Sequence, residues 1–452
     1  MVGGASSVVA PWTPVSVDTP KLVKEEGEEK EPEISTGGSS MMFFRLYTQI
    51  LRQTQVVEAT MSVLGGVRAA STTGMVSTLH HRPATHSHHN HLEARSHVET
   101  LPGNHDANEL VHADLEAMFK EIHEELDFEL KSNEELRTAS GQLGISKDRL
   151  LGSLGQMAKY YFDGQGKAVR PVIAMTLGHA YNHHQCMNQE EKTETANRQR
   201  KVAIISEMIH TASLVHDDIL DHAETRRGKL AVNQKWDATR SVLCGDYVLA
   251  IGAKVLAQLR NEEVLKVLAQ VLADLVHGEF QQLQNKENET ERFNLYLNKT
   301  FNKTASLIAY TCKANAILAK ASPDLVEEAF KYGKNVGIAF QLVDDLLDFE
   351  SSSQLLGKPA AADLKLGLAT APVLFASTEF PELETLIKRR FSQSRDVERA
   401  FEFVQKSKGL LQTRDLAKQH CDAAVQAIEP LVESPYKSAL INLTDKVLIR
   451  QK

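Results

Sequence analysis

Proline narrows most what this chain can become. Of its 13 prolines, six fall in the first 102 residues (Pro11, Pro14, Pro20, Pro32, Pro83, Pro102), and the other seven are spread over the last 350. Proline interrupts helix interiors by removing an amide donor and clashing with the preceding turn, so the long proline-poor tract is permissive for many helices. Apolar residues there recur at helical spacing: from Asn108 to about Glu135 they are Leu110, Leu115, Met118, Phe119, Ile122, Leu126, Phe128 and Leu130. The habit returns over 200–222, 241–260, 262–285, 291–320, 324–350, 394–408 and 412–432, without convincing strand alternation or hairpin turn pairs. Val248–Leu259 and Ile338–Phe349 are apolar nearly all round, as central helices are. No fixed period appears, which disfavours a solenoid. The expected fold is all-α, a large bundle with a deep core over residues 106–452.

The residues before 106 divide by charge. Residues 1–40 hold seven acids against three lysines, net −4, and are expected to be a disordered acidic extension. Residues 41–92 hold four arginines and one acid, net +3, open on Met41-Met42-Phe43-Phe44-Arg45-Leu46 and continue rich in Ser, Thr and Ala. Arg-rich, acid-poor amphipathic sequence marks an organelle transit peptide, so residues 41–105 are expected to be a transit-like, His-rich linker, with translation in the cell starting at Met41 or Met42. His80, His81, His86, His88, His89, His91, His97 and His105 lack flanking apolar periodicity to fix a metal geometry.

With 42% hydrophobic and 24% charged residues, the 452-residue chain can bury a large core. No run approaches the roughly 18 apolar residues of a membrane span. The net charge of −8 argues against nucleic acid as the main partner. Cys186, Cys244, Cys312 and Cys421 are far apart, which excludes zinc ribbons and disulfide scaffolds and suits a reducing compartment. A small-molecule function remains.

Two segments break the rule that cores are apolar: Leu214-Val215-His216-Asp217-Asp218-Ile219-Leu220-Asp221 and Phe340-Gln341-Leu342-Val343-Asp344-Asp345-Leu346-Leu347-Asp348-Phe349. Each is a DDxxD. Helical spacing puts Asp217 beside Asp221 and Asp344 beside Asp348, and like charges one turn apart repel. Buried carboxylates need a cation. Hard divalent ions fit; Mg²⁺ takes one or two carboxylates and completes its shell with water and phosphate oxygens. By chance roughly one chain in a thousand of this length would hold two such motifs. Counter-charges follow the same logic: Gly164-Gln165-Gly166-Lys167-Ala168-Val169-Arg170-Pro171, Arg226-Arg227-Gly228, Lys303-Thr304 and Lys358. Acids together with Lys and Arg describe a polyphosphate site, and no P-loop sequence is present to make it a nucleotide site of that type.

At these residues the sequence resembles the trans-polyprenyl diphosphate synthases. The likeness covers roughly 110–452 and runs through GKAVRP, EMIHTASLVHDDILDHAETRRGK, KTASLIAYTCKA, YGKNVGIAFQLVDDLLDF and GKPAAADLKLGLATAPVLFA. It implies an isoprenoid-synthase bundle around a deep central cavity and Mg²⁺-dependent head-to-tail condensation of isopentenyl diphosphate with an allylic diphosphate, such as farnesyl or geranylgeranyl diphosphate, toward the ubiquinone side chain. It assigns Lys167, Arg170, His210 and Arg227 to isopentenyl diphosphate, and Arg226, Lys303, Thr304, Gln341 and Lys358 to the allylic diphosphate. Asp217, Asp218, Asp221, Asp344, Asp345 and Asp348 become the catalytic acids, with Lys303 beside them. Three Mg²⁺ ions are implied per site, with Asp217, Asp218, Asp221, Asp344 and Asp348 as ligands. A mitochondrial matrix location is implied, as is a homodimer or a hetero-oligomer with a related subunit; peripheral membrane contact would serve product release.

Ala212 and Ser213, one turn before Asp217, are small enough to leave a product tunnel open, though close packing would also select them. Four other readings compete, one of them a non-catalytic subunit that only stabilises a partner, which loss of the acidic motifs would mark and which their presence here disfavours. A shorter-chain synthase would share every motif. A terpene cyclase would lack the cations Lys167 and Arg170. A di-iron bundle would use Glu207-x-x-His210 and Glu109-x-x-His112 but leaves both DDxxD motifs unexplained.

Overall fold

A computed structural model describes residues 105–132, 154–163, 166–283, 289–353 and 361–450. The acidic extension, the transit-like segment, the His tract apart from His105, Gly164, Gln165 and Lys358 lie outside the described residues.

The described residues are helical apart from one small ribbon. The long helices are α1 (His112–Ser132), α2 (Val169–His184), α3 (Gln189–Leu220), α4 (Ala238–Gln258), α5 (Glu262–Leu283), α6 (Glu289–Thr300), α7 (Ser306–Leu318), α8 (Pro323–Ser353), α9 (Ala371–Glu379), α10 (Glu382–Lys388), α11 (Asp396–Lys406), α12 (Gly409–Ala427) and α13 (Pro435–Ile449). Helix α3 starts where Asn188 forms a capping box: its Oδ1 accepts from the Glu191 amide at 2.9 Å, and Glu191 accepts from the Asn188 amide at 3.1 Å. Ser434 caps α13 by accepting from the Lys437 amide at 3.1 Å, with Pro435 in the first turn where its missing N–H costs nothing.

Two central pairs carry the site: α3 lies along α4, and α8 lies between α7 and α12. One apolar cluster joins Met208, Ala212 and Val215 of α3 to Val248, Ile251 and Val255 of α4. A second joins Ile308 and Cys312 of α7 to Tyr332 and Val336 of α8. Glycine permits the α7–α8 contact. A Cβ at Gly337 would lie 2.5 Å from Ala305 Cα, and one at Gly333 would lie 2.7 Å from Ala309 Cα. Gly337→Ala is therefore expected to destabilise the protein by about 1–3 kcal/mol through overpacking, measured as a lower urea midpoint; an unchanged midpoint would mean that the helices part without cost.

Several expectations need correction. The first helix breaks at Val111, separating the single turn Ala107–Leu110, capped by Asp106, from α1. The expected helix over 291–320 is two helices joined by a π-turn, Phe301–Ala305. Helices α2, α9, α10 and α13 were not foreseen; α2 and α9 are buried over most of their length and carry little periodic signal. A two-residue ribbon pairs Thr225 with Leu230 and Arg226 with Lys229. Its loop, Arg227-Gly228, has φ of 52° and 77°, the pattern of the tight hairpin turns that match strand twist. Finally, α4 is long and apolar enough to cross a membrane, with a mean hydropathy of 1.3 over 18 residues. A soluble protein's core helix passes the same test, and α4 is packed along α3.

Candidate active site

The first acidic motif ends α3. Asp217 is half-buried and Asp221, the C-cap residue, is exposed; the Asp221 amide still bonds the Asp217 carbonyl at 2.8 Å, keeping the two one turn apart. Asp218 behaves differently. It is 0% exposed, accepts from Arg226 Nε at 2.8 Å and Nη2 at 2.5 Å, and from the Tyr161 hydroxyl at 2.8 Å. Expected among the metal ligands, Asp218 instead fixes Arg226 from behind, because it lies on the inward side of the helix.

The second motif repeats this division on α8. Asp345, expected to be catalytic, is 1% exposed and accepts from the Tyr296 hydroxyl at 2.6 Å and Gln341 Nε2 at 3.0 Å. Asp344 pairs with Arg450, whose guanidinium also donates to the Phe340 carbonyl at 2.7 Å and lies 3.7 Å from the Phe340 ring centroid. Asp348 accepts from the amides of Ala362 (3.0 Å) and Asp363 (3.2 Å), capping a one-turn helix, Ala362–Lys365.

The cations form two groups. Arg170 Nη1 donates to His210 Nε2 at 3.0 Å, and Arg227 Nη1 donates to the Tyr161 carbonyl at 3.2 Å. Burial and the charges of Arg170 and Arg227 hold His210 well below the usual imidazole range, so it is the neutral acceptor. Buried Glu207 faces the same two arginines. Arg170 Nε is buried without a hydrogen-bond partner among the described residues. Gly166 brings its backbone against Arg227; a Cβ there would be 3.0 Å from Cζ. Lys167 is exposed. Both Lys167 and Arg170 act on Asp344, partly offsetting the rise that burial imposes on its carboxyl.

The other group sits on the π-turn. Lys303 pairs with Glu279 at 2.6 Å, and its charge reaches Asp217. The Thr304 hydroxyl donates to Gln341 Oε1 at 2.9 Å. Gln341, expected at the allylic diphosphate, uses both ends of its amide to link Thr304 to Asp345. Hydrogen bonds thus tie Thr304 through Gln341 to Asp345 of the second motif, while the charge of the adjacent Lys303 acts on Asp217 of the first. Sequence reasoning missed Glu279, Tyr161, Tyr296, Asp363 and Arg450. Only Asp363 carried a signal, inside the quoted GKPAAADLKLG.

Ala212, expected beside the product tunnel, is 0% exposed within the α3–α4 cluster. Ser213 is half-buried and donates to the His210 carbonyl at 2.9 Å.

The electrostatics favour a hard cation. Burial, then the charges of Glu279 and Asp221, push Asp217 up to about 6, although Lys303 and Arg226 pull the other way. Burial also raises Asp345 to about 6, and burial with Asp345 and Asp348 raises Asp363 to about 7. Oxygen donors in excess of local positive charge suit Mg²⁺. Among the described residues no three or more His, Cys, Asp or Glu side chains gather to hold a metal alone.

These raised values carry a pH dependence. Each exceeds the unfolded carboxyl's 3.8, so folding favours the protonated form. That stabilisation is full below the unfolded value and is lost as pH rises through 6 to 7. Asp363→Asn is therefore expected to flatten the fall in melting temperature of the metal-free protein between about pH 5 and pH 8. Parallel thermal-scan profiles for variant and wild type would refute a raised Asp363.

The di-iron reading fails: His112 pairs with Glu116 on the surface, while Glu207 and His210 face arginines.

The polyprenyl synthetase family profile matches residues 152–404. The chain belongs to the polyprenyl synthetase family. It is a trans-prenyltransferase by that membership. It is 52% identical over 310 residues to all trans-polyprenyl-diphosphate synthase PDSS1 of Homo sapiens, covering 68% of this chain and 74% of that one. It is 41% identical over 350 residues to the probable hexaprenyl pyrophosphate synthase, mitochondrial, of Neurospora crassa, covering 67% and 78%. Among solved structures, a polyprenyl synthase from Caulobacter crescentus complexed with calcium and isoprenyl diphosphate superposes with a TM-score of 0.62 at 28% identity, over 76% of this chain and 97% of that one. The all-α fold is that of the polyprenyl synthetases, and the family's dependence on Mg²⁺ agrees with the oxygen-rich motifs.

Proposed function

We propose that this protein is a long-chain all-trans polyprenyl diphosphate synthase that adds isopentenyl diphosphate head-to-tail to an allylic diphosphate, making the ubiquinone side-chain precursor. The observation that carries this reading is the hydrogen-bonded link from the second acidic motif through Asp345, Gln341 and Thr304 to the cation group of Lys303, with a second cation group in which Arg170 bonds His210 and keeps a buried Nε without a partner among the described residues. Two separate anion sites beside two acid motifs suit two diphosphate substrates.

In this reading Lys167, Arg170, His210 and Arg227 bind isopentenyl diphosphate, and Lys303 with Arg226 binds the allylic diphosphate. Lys358 is assigned with them. Asp217 and Asp221, with Asp344 and Asp348, would hold Mg²⁺, three ions per site, which supply charge neutralisation that turns the allylic diphosphate into a leaving group. Arg226 is pre-oriented by Asp218, so its guanidinium meets developing negative charge without reorganisation. Lys303 adds a second positive charge at the same oxygens. The π-bond of isopentenyl diphosphate then attacks the allylic C1, and the departing diphosphate takes the proton lost from C2. Apolar α3, α4, α7 and α8 exclude water from the cation.

Residues 106–452 form the catalytic domain, and the preceding segment delivers it to the mitochondrial matrix, in line with mitochondrial relatives. A second copy or a related subunit is the expected partner, and Leu243 of α4 with Leu265 and Phe280 of α5 are exposed apolar side chains it could cover. Mass spectrometry of products from farnesyl diphosphate, isopentenyl diphosphate and Mg²⁺, with and without a related subunit, tests the reading. Polyprenyl diphosphates of several added units are expected; no elongation under either condition would overturn it.

A further inference from the structure

Helix α5 ends against the π-turn in an arrangement that leaves one acid unaccounted for. Glu279 Oε1 lies 2.6 Å from Lys303 Nζ, with both side chains partly shielded from solvent. The approach depends on Gly278, where a Cβ would lie 2.6 Å from Lys303 Cγ and 3.3 Å from its backbone nitrogen. Two residues beyond Glu279, Gln281 Oε1 accepts from Asn302 Nδ2 at 3.1 Å. Gly278, Glu279 and Gln281 of α5 therefore all meet the turn that carries Lys303. Glu279 also faces the first acidic motif, being the largest charge contribution that raises Asp217.

A lysine side chain has four rotatable bonds and loses much freedom when held in one pose. The π-turn alone fixes only its Cα. A carboxylate at hydrogen-bond distance, with the aliphatic stem pressed against a residue lacking a Cβ, fixes both ends. We propose that Glu279 is a positioning residue for the reaction, holding the Lys303 ammonium over the allylic diphosphate subsite with Gly278 as the clearance that lets it cross. The inference rests on the assignment of Lys303 to that subsite.

The test is a double-mutant cycle on the full chain with Glu279→Gln, Lys303→Ala and the pair, read by calorimetric binding of farnesyl thiolodiphosphate with Mg²⁺ and by the KM of each substrate. Glu279→Gln is expected to weaken thiolodiphosphate binding and raise the allylic KM about tenfold, as loss of a charge-assisted bond does. The KM for isopentenyl diphosphate is expected to stay within about twofold, and in the Lys303→Ala background Glu279→Gln is expected to add almost nothing. Equal losses in both backgrounds, equal shifts for both substrates, or no shift at all would overturn the proposal. Gly278→Ala supplies an independent arm: it displaces Lys303 with the carboxylate intact and must reproduce the same allylic-selective loss. Wild-type binding of the analogue without any elongation would count against the synthase reading and leave this cycle interpretable.

Discussion

Asp217→Ala and Asp344→Ala are each expected to lower turnover by about a thousandfold or more while the helices stay folded. Asp217 is partly accessible, and burial and neighbouring acids already raise its carboxyl to about 6, so its removal relieves repulsion in the free protein. Asp344 gives up only the pair with Arg450, which still donates to the Phe340 carbonyl and lies on that ring. Their loss is felt when diphosphate and metal must be held. Circular dichroism and thermal melting would separate the effects from unfolding; near wild-type turnover in both variants would remove the basis of the mechanism. Asp218→Ala and Asp345→Ala should fail differently. Each leaves buried donors unpaired (Arg226 and Tyr161, or Tyr296 and Gln341), a loss of about 3 kcal/mol or more for a broken buried pair.

Arg170→Ala should cost about a hundredfold or more in kcat/KM for isopentenyl diphosphate with little change in the allylic KM. The guanidinium already spends one nitrogen on neutral His210, and its buried Nε has no hydrogen-bond partner among the described residues, a donor without an acceptor until an anion arrives. Removing it also deprives buried Glu207 of a counter-charge, which lets burial push its carboxyl further up. Arg170→Lys keeps the charge but not the fork, and should recover only part of the loss. Steady-state kinetics with each substrate varied in turn decides it; equal loss for both substrates would place Arg170 elsewhere in the reaction.

The acidic motifs were legible because two aspartate triplets inside apolar helices contradict every packing preference. Their internal division was not. Spacing placed Asp217 and Asp221 together, but the inward roles of Asp218 and Asp345 depend on Tyr161, Arg226 and Tyr296, which come from other elements. Long amphipathic helices such as α5 could be read from periodicity, whereas α2 and α9 hid because burial on all sides erases the polar stripe. The kink at Lys303 left no mark either, since nothing in Phe301-Asn302-Lys303-Thr304-Ala305 forbids an ordinary helix.

That kink has a consequence for how the chain can change. Before it, Tyr296 packs in the cluster with Ile338 and Leu342; after it, Leu307 and Ile308 belong to the two clusters formed with α3, α4 and the first half of α8. The wider turn works as a clutch between neighbouring cores that want different rotations of the same helix. Substitutions that retune one core can be absorbed there without dragging the other out of mesh, and Lys303 stays at the one point that need not turn with either.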